Sequence, residues 1–263
     1  MICSKWLIKT LNLKLFSLSL PLQSNQKKLE MKKYILLLVF LLTAIAPLLA
    51  QNEQDEKPKI HKPASKQERS IVNFMLDGWM KTPPGIATNW IKSRSFEFYF
   101  MADRAFANEH LGLAYGIGFS STNVNSNAQF DQVNGSTILH PIDSTQYNMN
   151  KLSTNYIEVP LEIRFRTSHL HGNNRLKLAI GAKAGYLLQD HLKFVSDIIK
   201  NKTYNTPNID PFRFCATARL GYGKFSFTGF YALNTLFKSG KGSGVIPVGL
   251  GIAFTPVFGG LSN

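Results

Sequence analysis

The sequence predicts an all-β fold: an eight-stranded antiparallel up-and-down transmembrane β-barrel with short periplasmic turns and long extracellular loops. Three observations predict it. Eight segments alternate apolar and polar or small residues with a period of two, and helical periodicity is absent after residue 70. Most of those segments run nine to twelve residues, the length that crosses a bilayer when a strand is tilted. The spacers between them alternate between short and long, with the longest at 120–155 and 189–211, which puts tight turns at one end and large loops at the other.

The elements follow in order. "IVNFMLDGWM" (71–80) places Val72, Phe74 and Leu76 on one face and Asn73, Met75 and Asp77 on the other. "SFEFYFMAD" (95–103) alternates Phe96, Phe98 and Phe100 with Glu97, Tyr99, Met101 and Asp103. In "HLGLAYGIGF" (110–119), Leu111, Leu113, Tyr115, Ile117 and Phe119 oppose small residues. In "STNYIEVPLEIRFRTS" (153–168), Ile157, Val159, Leu161, Ile163 and Phe165 oppose Glu158, Pro160, Glu162, Arg164 and Arg166. "RLKLAIGAKAGYLL" (175–188) sets Lys177, Gly181, Lys183 and Gly185 against an apolar face. "FRFCATARLGYG" (212–223) does the same with Arg213, Cys215 and Arg219. "KFSFTGFYAL" (224–233) and "VIPVGLGIAF" (245–254) complete the set. Pro160 cannot donate to a ladder, so a bulge or a gap in pairing is expected there.

The apolar face is assigned to lipid. A soluble barrel would bury it and turn Gly112, Gly116, Gly181, Gly249 and their like to water, where glycine only weakens a strand. A narrow lumen gives those glycines a reason. No outward position in strands three to eight carries a charge, which would cost roughly 2–4 kcal/mol at the midplane. Tyr186, Tyr222, Tyr231 and Phe254 lie towards strand ends, as interfacial girdles require. Leu111, Leu113, Ile157, Val159, Leu161, Ile163 and Phe165 are thus the expected lipid contacts.

The polar faces then fill the lumen. Asp77, Glu97, Asp103, Glu158 and Glu162 meet Lys177, Lys183, Arg164, Arg166, Arg213 and Arg219. Near-balance between the signs points to a paired network, because unpaired buried charge is costly. A wide aqueous pore needs about 16 strands.

The chain has 263 residues and a formal charge of +14. Seven bases and one acid lie in residues 1–50, so the remainder carries +8. "MKKYILLLVFLLTAIAPLLAQ" begins at Met31 with a basic start, an apolar stretch and small Ala50, the layout of a signal peptide cleaved near Ala50. An uncleaved anchor is the alternative, disfavoured by length. Residues 1–30 read as an over-extended start, residues 51–70 as a flexible periplasmic tether, and residues 71–258 as the barrel. Export to the outer membrane removes nucleic acid as a partner. Outer-membrane lipids and lipopolysaccharide are the expected surroundings, and the Lys-rich loop "FKSGKGSG" (237–244) is a candidate for touching their headgroups.

Chemistry beyond charge pairing is sparse. Cys3 and Cys215 cannot both belong to the mature chain, so no internal disulfide forms, and no spacing suits zinc. Cys215 reads as a small packed side chain. "HPIDS" gathers His140, Asp143 and Ser144, a residue set for hydrolysis that geometry must still bring together. His169 and His171 are too few for a metal site. No cofactor and no metal are expected.

"YIEVPLEIRFR" (156–166) and "KAGYLL" (183–188), with "FRFCATARLGYGKFSFTGFYALNTLF" (212–237), resemble the PorT-type outer-membrane β-barrel proteins of Bacteroidetes over roughly residues 70–255. The resemblance implies an eight-stranded outer-membrane barrel without a catalytic motif. Some members are linked to type IX protein secretion and gliding, so secretion-machinery proteins are expected partners. The C-terminal "FTPVFGGLSN" departs from a chain closed by a terminal aromatic, with Phe258 the nearest. The expected function is a non-enzymatic structural or assembly partner. A small-solute channel and a lipid-modifying enzyme using His140 and Ser144 are the alternatives.

Overall fold

The computed structural model describes residues 70–106, 110–167 and 175–256. The leader, nearly all of the tether, His169, His171 and Phe258 lie outside the described residues. The strands in chain order are β1 (Ser70–Met80), β2 (Arg94–Ala105), β3 (Leu111–Asn125), β4 (Ala128–Val133), β5 (Ser136–Pro141), β6 (Met149–Arg166), β7 (Leu176–Val195), β8 (Lys200–Tyr204), β9 (Phe212–Tyr222), β10 (Phe225–Ala232) and β11 (Ile246–Phe254). Eight of them close on themselves antiparallel in the order β1, β2, β3, β6, β7, β9, β10, β11. Pairing of β1 with β11, from Val72↔Phe254 to Met80↔Ile246, seals the ring. Closure leaves the barrel no free edge, which a sheet in lipid requires.

The three short connections follow β2, β6 and β9, at the end where β1 begins and β11 finishes. The four long connections meet at the other end. There the strands are longer than the alternation predicts: β3 continues to Asn125, β6 begins at Met149 and β7 reaches Val195. The loops expected over 120–155 and 189–211 are therefore partly sheet. A β-bulge explains the shortfall. Asn155 pairs with Gln189 but Tyr156 with Leu187, so Leu188 is an extra residue on β7. Below it Lys183 and Gly185 face inward; above it Asp190 is buried and Leu192 packs against a core. The inward set changes from odd to even positions, and a period-two pattern read along the sequence ends at the bulge.

Pro160 pairs with Lys183 on β7. On its β3 side the ladder passes from Tyr115↔Leu161 to Gly118↔Glu158, with no partner recorded for Pro160 or Val159. The missing amide is thus accommodated by a two-residue gap on one side only.

The long connections build a cap. β4 and β5 form a hairpin around Asn134 (φ 50) and Gly135 (φ 75), the left-handed pair that a tight hairpin turn demands. Asn208 donates to Gln132 Oε1, Gly135 O and Thr137 Oγ1, and the Thr137 amide donates to Lys241 O. Asn127 holds Ala87 N and Gly85 O, tying the β1–β2 connection to the hairpin. Inside these ties lies an apolar cluster that includes Trp79, Val124, Leu139, Leu152, Ile209 and Phe237.

Candidate functional site

The lumen is built from alternate residues of every barrel strand. Its charged residues stand beside small ones on the neighbouring strands. Glu158 is flanked in register by Gly118 on β3 and Gly185 on β7. Glu162 is flanked by Ala114 and Gly181, and Arg164 by Gly112 and Ala179. A side chain at Gly249 would collide with Asp77 and Phe230, and one at Gly118 with the ring of Tyr99. Small residues next to long ones are how a narrow barrel is filled.

Two charge clusters result. In the one nearer the cap, Glu158 is fully buried and accepts from Arg213 Nη2 at 2.6 Å, with Lys183 Nζ at 3.1 Å and the Tyr99 hydroxyl also bonded to it. Lys183 reaches Glu97 at 2.6 Å, and Asn73 donates to the same carboxylate at 2.9 Å. Arg213 donates to Ser120 at 2.7 Å and lies 3.9 Å over the ring of Tyr156. Ser95 donates to Asp77. In the second cluster Glu162 accepts from Arg164 and Arg219, each at 2.9 Å. Asp103 pairs with Arg164 at 3.0 Å and with Arg166. Lys177 donates to Gly223 O at 2.6 Å, at the short-turn rim.

The network is cross-braced around the ring, since its bonds join residues as far apart in sequence as Ser120 and Arg213. Sequence reasoning named the charged members and set Asn73 and Tyr99 on the same face, but it did not identify Ser95, Ser120 and Phe230 as their partners. Ser95 shares its alternate face with Glu97, whereas β3 and β10, which carry Ser120 and Phe230, hold no charge that marks their lumen face.

The opposite face is apolar. Ile157, Val159, Leu161, Ile163 and Phe165 are exposed on the outside of β6, while Leu111 and Leu113 are half-buried by neighbours. Tyr186 meets Phe212 at 5.5 Å near the cap end, and Phe225 meets Phe254 at 5.3 Å near the short-turn end. Trp90 folds back over Gly78 on the outside of β1, where a Cβ would strike its indole.

The described barrel contains small voids. One of about 30 Å³ lies among Asn73, Glu97, Lys183 and Arg219. Another of about 10 Å³ lies between Asp77, Tyr156 and Trp79 under the cap. Each has room for about one or two waters, too little for a solute.

The other sequence candidates come apart or turn inward. Asp143 caps the short 3-10 turn Ser144–Gln146, and the amide and hydroxyl of Thr145 hold its carboxyl below the usual carboxylate range. His140 faces Asp131, with 3.9 Å between Nε2 and Oδ2. His140 and Asp143 therefore engage neighbours outside the HPIDS set. Phe237 of the Lys-rich loop is buried in the cap, and Cys215 is fully buried against Met75, Phe230 and Val248.

A closed ring of eight strands, apolar outside and charge-filled inside, defines a small barrel of the membrane-spanning class. The family model for the outer membrane protein beta-barrel domain matches residues 71–238, more than half of the chain, and the protein belongs to that family. A similar solved chain is Ail, the attachment invasion locus protein of Yersinia pestis, at 12% identity over 70% of this chain and 96% of Ail, with a TM-score of 0.31. No curated protein matches the chain.

Proposed function

We propose that the protein is a non-enzymatic integral outer-membrane barrel that works through its capped end, as a structural or assembly partner of the kind the PorT-type resemblance implies. Type IX secretion or gliding is the setting that resemblance favours. In this reading the signal peptide is removed near Ala50, the tether and short turns lie in the periplasm, and the four long connections face outward. The observation that carries it is the combination of a lumen closed by ion pairs and a mouth closed by a packed cap. Such a barrel transports little through itself, and its elaborated surface is the folded loop layer.

Two measurements test it together. Gentle solubilisation of outer membranes and affinity capture of the barrel should recover a stable protein partner in fixed proportion. In planar bilayers the purified barrel should pass almost no current. Recovery as a lone barrel with a stepwise conductance would overturn the proposal in favour of a channel.

A further inference from the structure

The outer surface of the extended strands carries a row of lysines that the pairing register brings together. Lys151 on β6 stands opposite Lys193 on β7, and Lys193 stands opposite Lys202 on β8. All three share one face, because cross-strand partners point the same way. That face is outward: Asn150 and Leu152, on either side of Lys151, are buried inward. Partial burial, and after it the charges of Lys193 and Lys202, disfavour the charge on Lys151. Lys151 Nζ is 3.0 Å from Asn123 Oδ1, and Lys202 Nζ lies 4.7 Å over the ring of Tyr204. Among the described residues no carboxylate lies within ion-pair distance of any of the three. Like charges directly opposite one another destabilise a sheet. Three in one row call for an anion that the described residues do not supply.

The height of the row indicates which anion. Ile157 shares its rung with Tyr186, whose ring meets Phe212 in the aromatic pair near the cap end. Lys151 is six residues further along β6. At about 3.3 Å per residue and a tilt of about 40°, the row stands roughly 15 Å above that rung. That lies beyond the acyl chains, where the outer leaflet carries phosphorylated sugars. On the same face between rung and row, Asn155, Gln189 and His191 are polar and at least partly exposed. The surface therefore passes from apolar to neutral polar to cationic, in the order in which acyl chain, sugar and phosphate would meet it.

We propose that Lys151, Lys193 and Lys202 form an outward-facing cation ladder that binds the phosphate groups of lipopolysaccharide. The proposal rests on the orientation given above, with the long connections outward. It differs from the sequence expectation for residues 237–244, because that loop is folded against the β4–β5 hairpin.

The test uses the purified mature barrel in zwitterionic detergent, incubated with rough lipopolysaccharide or with the same material dephosphorylated by hydrofluoric acid. Lipopolysaccharide retained per barrel is measured after size exclusion. The parent should retain at least tenfold more of the phosphorylated form, and added salt should weaken retention. The K151Q/K193Q/K202Q variant should lose that preference while keeping heat-modifiable gel mobility. In detergent without lipopolysaccharide, Lys193→Gln should melt at the same temperature as the parent or higher, because a repulsion is removed. Equal retention by parent and triple variant overturns the ladder. So does a lower melting temperature for Lys193→Gln, which marks the lysine as structural. Displacement by millimolar inorganic phosphate overturns the lipid assignment in favour of a free-anion site. A parent without heat-modifiable mobility would instead overturn the barrel reading on which the proposal rests.

Discussion

The membrane-spanning lumen and the cap above it are built by the same strands with opposite polarity. On β6, Glu158, Glu162 and Arg164 point inward while Ile157, Leu161 and Ile163 point out. A few residues earlier on the same strand, Leu152 points inward and Lys151 outward. β3 repeats the change, from Ser120 and Thr122 in the lumen to Val124 in the cap core. On β3 and β6 the alternation runs unbroken from one region to the other; what changes is the solvent outside. Where lipid surrounds the ring, the polar groups must be satisfied internally. Where water surrounds it, the hydrophobic effect restores an apolar interior.

The largest way to break this comparison is to remove the acid at the centre of the lumen. Glu158→Leu leaves Lys183 and Arg213 without their shared carboxylate in a region that water barely enters. Loss of one partner from a buried pair costs about 3–5 kcal/mol. The urea midpoint of the refolded barrel in detergent should fall accordingly. An unchanged midpoint would mean that the lumen behaves as a hydrated surface, and the contrast with the cap would disappear.

Next in size is the outer face. Leu161 is half exposed to the surroundings in the middle of the apolar band of β6. Leu161→Arg there should cost about 2–4 kcal/mol in a bilayer, and insertion into vesicles should be strongly reduced. Glu162→Gln, one residue on and facing the opposite way, should insert normally and melt somewhat lower, because Arg164 and Arg219 keep a neutral acceptor. If the two substitutions were equally harmless, the inside-out assignment of the strands would be wrong.

The barrel was legible in the sequence because its signal is local. Phe96, Phe98 and Phe100 against Glu97, Tyr99 and Asp103 show a strand and its two faces without reference to any other segment. All eight barrel strands were found in this way. The cap was not, for two physical reasons. The bulge at Leu188 reverses the inward set on β7, so the alternation looks finished where the strand is only half done. β8, "KNKTY", has no apolar face at all and exists because its backbone pairs with β7. The β4–β5 hairpin did carry a signal, Asn134-Gly135 between two short runs, that could have been read. The lysine ladder is a property of register across three strands, and register is invisible along one. The charged lumen members were legible from alternation, but which carboxylate meets which cation was not: Glu158 and Arg213 lie 55 residues apart.

The smallest test asks whether the two regions unfold together. Val124 is buried in the cap core just above Thr122, whose hydroxyl reaches Arg213 in the lumen. Val124→Ala removes two methyl groups from a packed site and should cost roughly 1.5 kcal/mol. The barrel below is held by ladder bonds and ion pairs that this change does not touch. The cap is joined to it by strands but is packed by its own side chains, and such units can open locally. Amide exchange at Ile209 and Phe237, which pair across the cap, should therefore accelerate while the urea midpoint of the barrel stays fixed. A midpoint that falls by the same free energy would show one cooperative unit instead. In that case the hydrophobic cap and the ionic lumen, although opposite in chemistry, would be a single core that changes character only where its surroundings change.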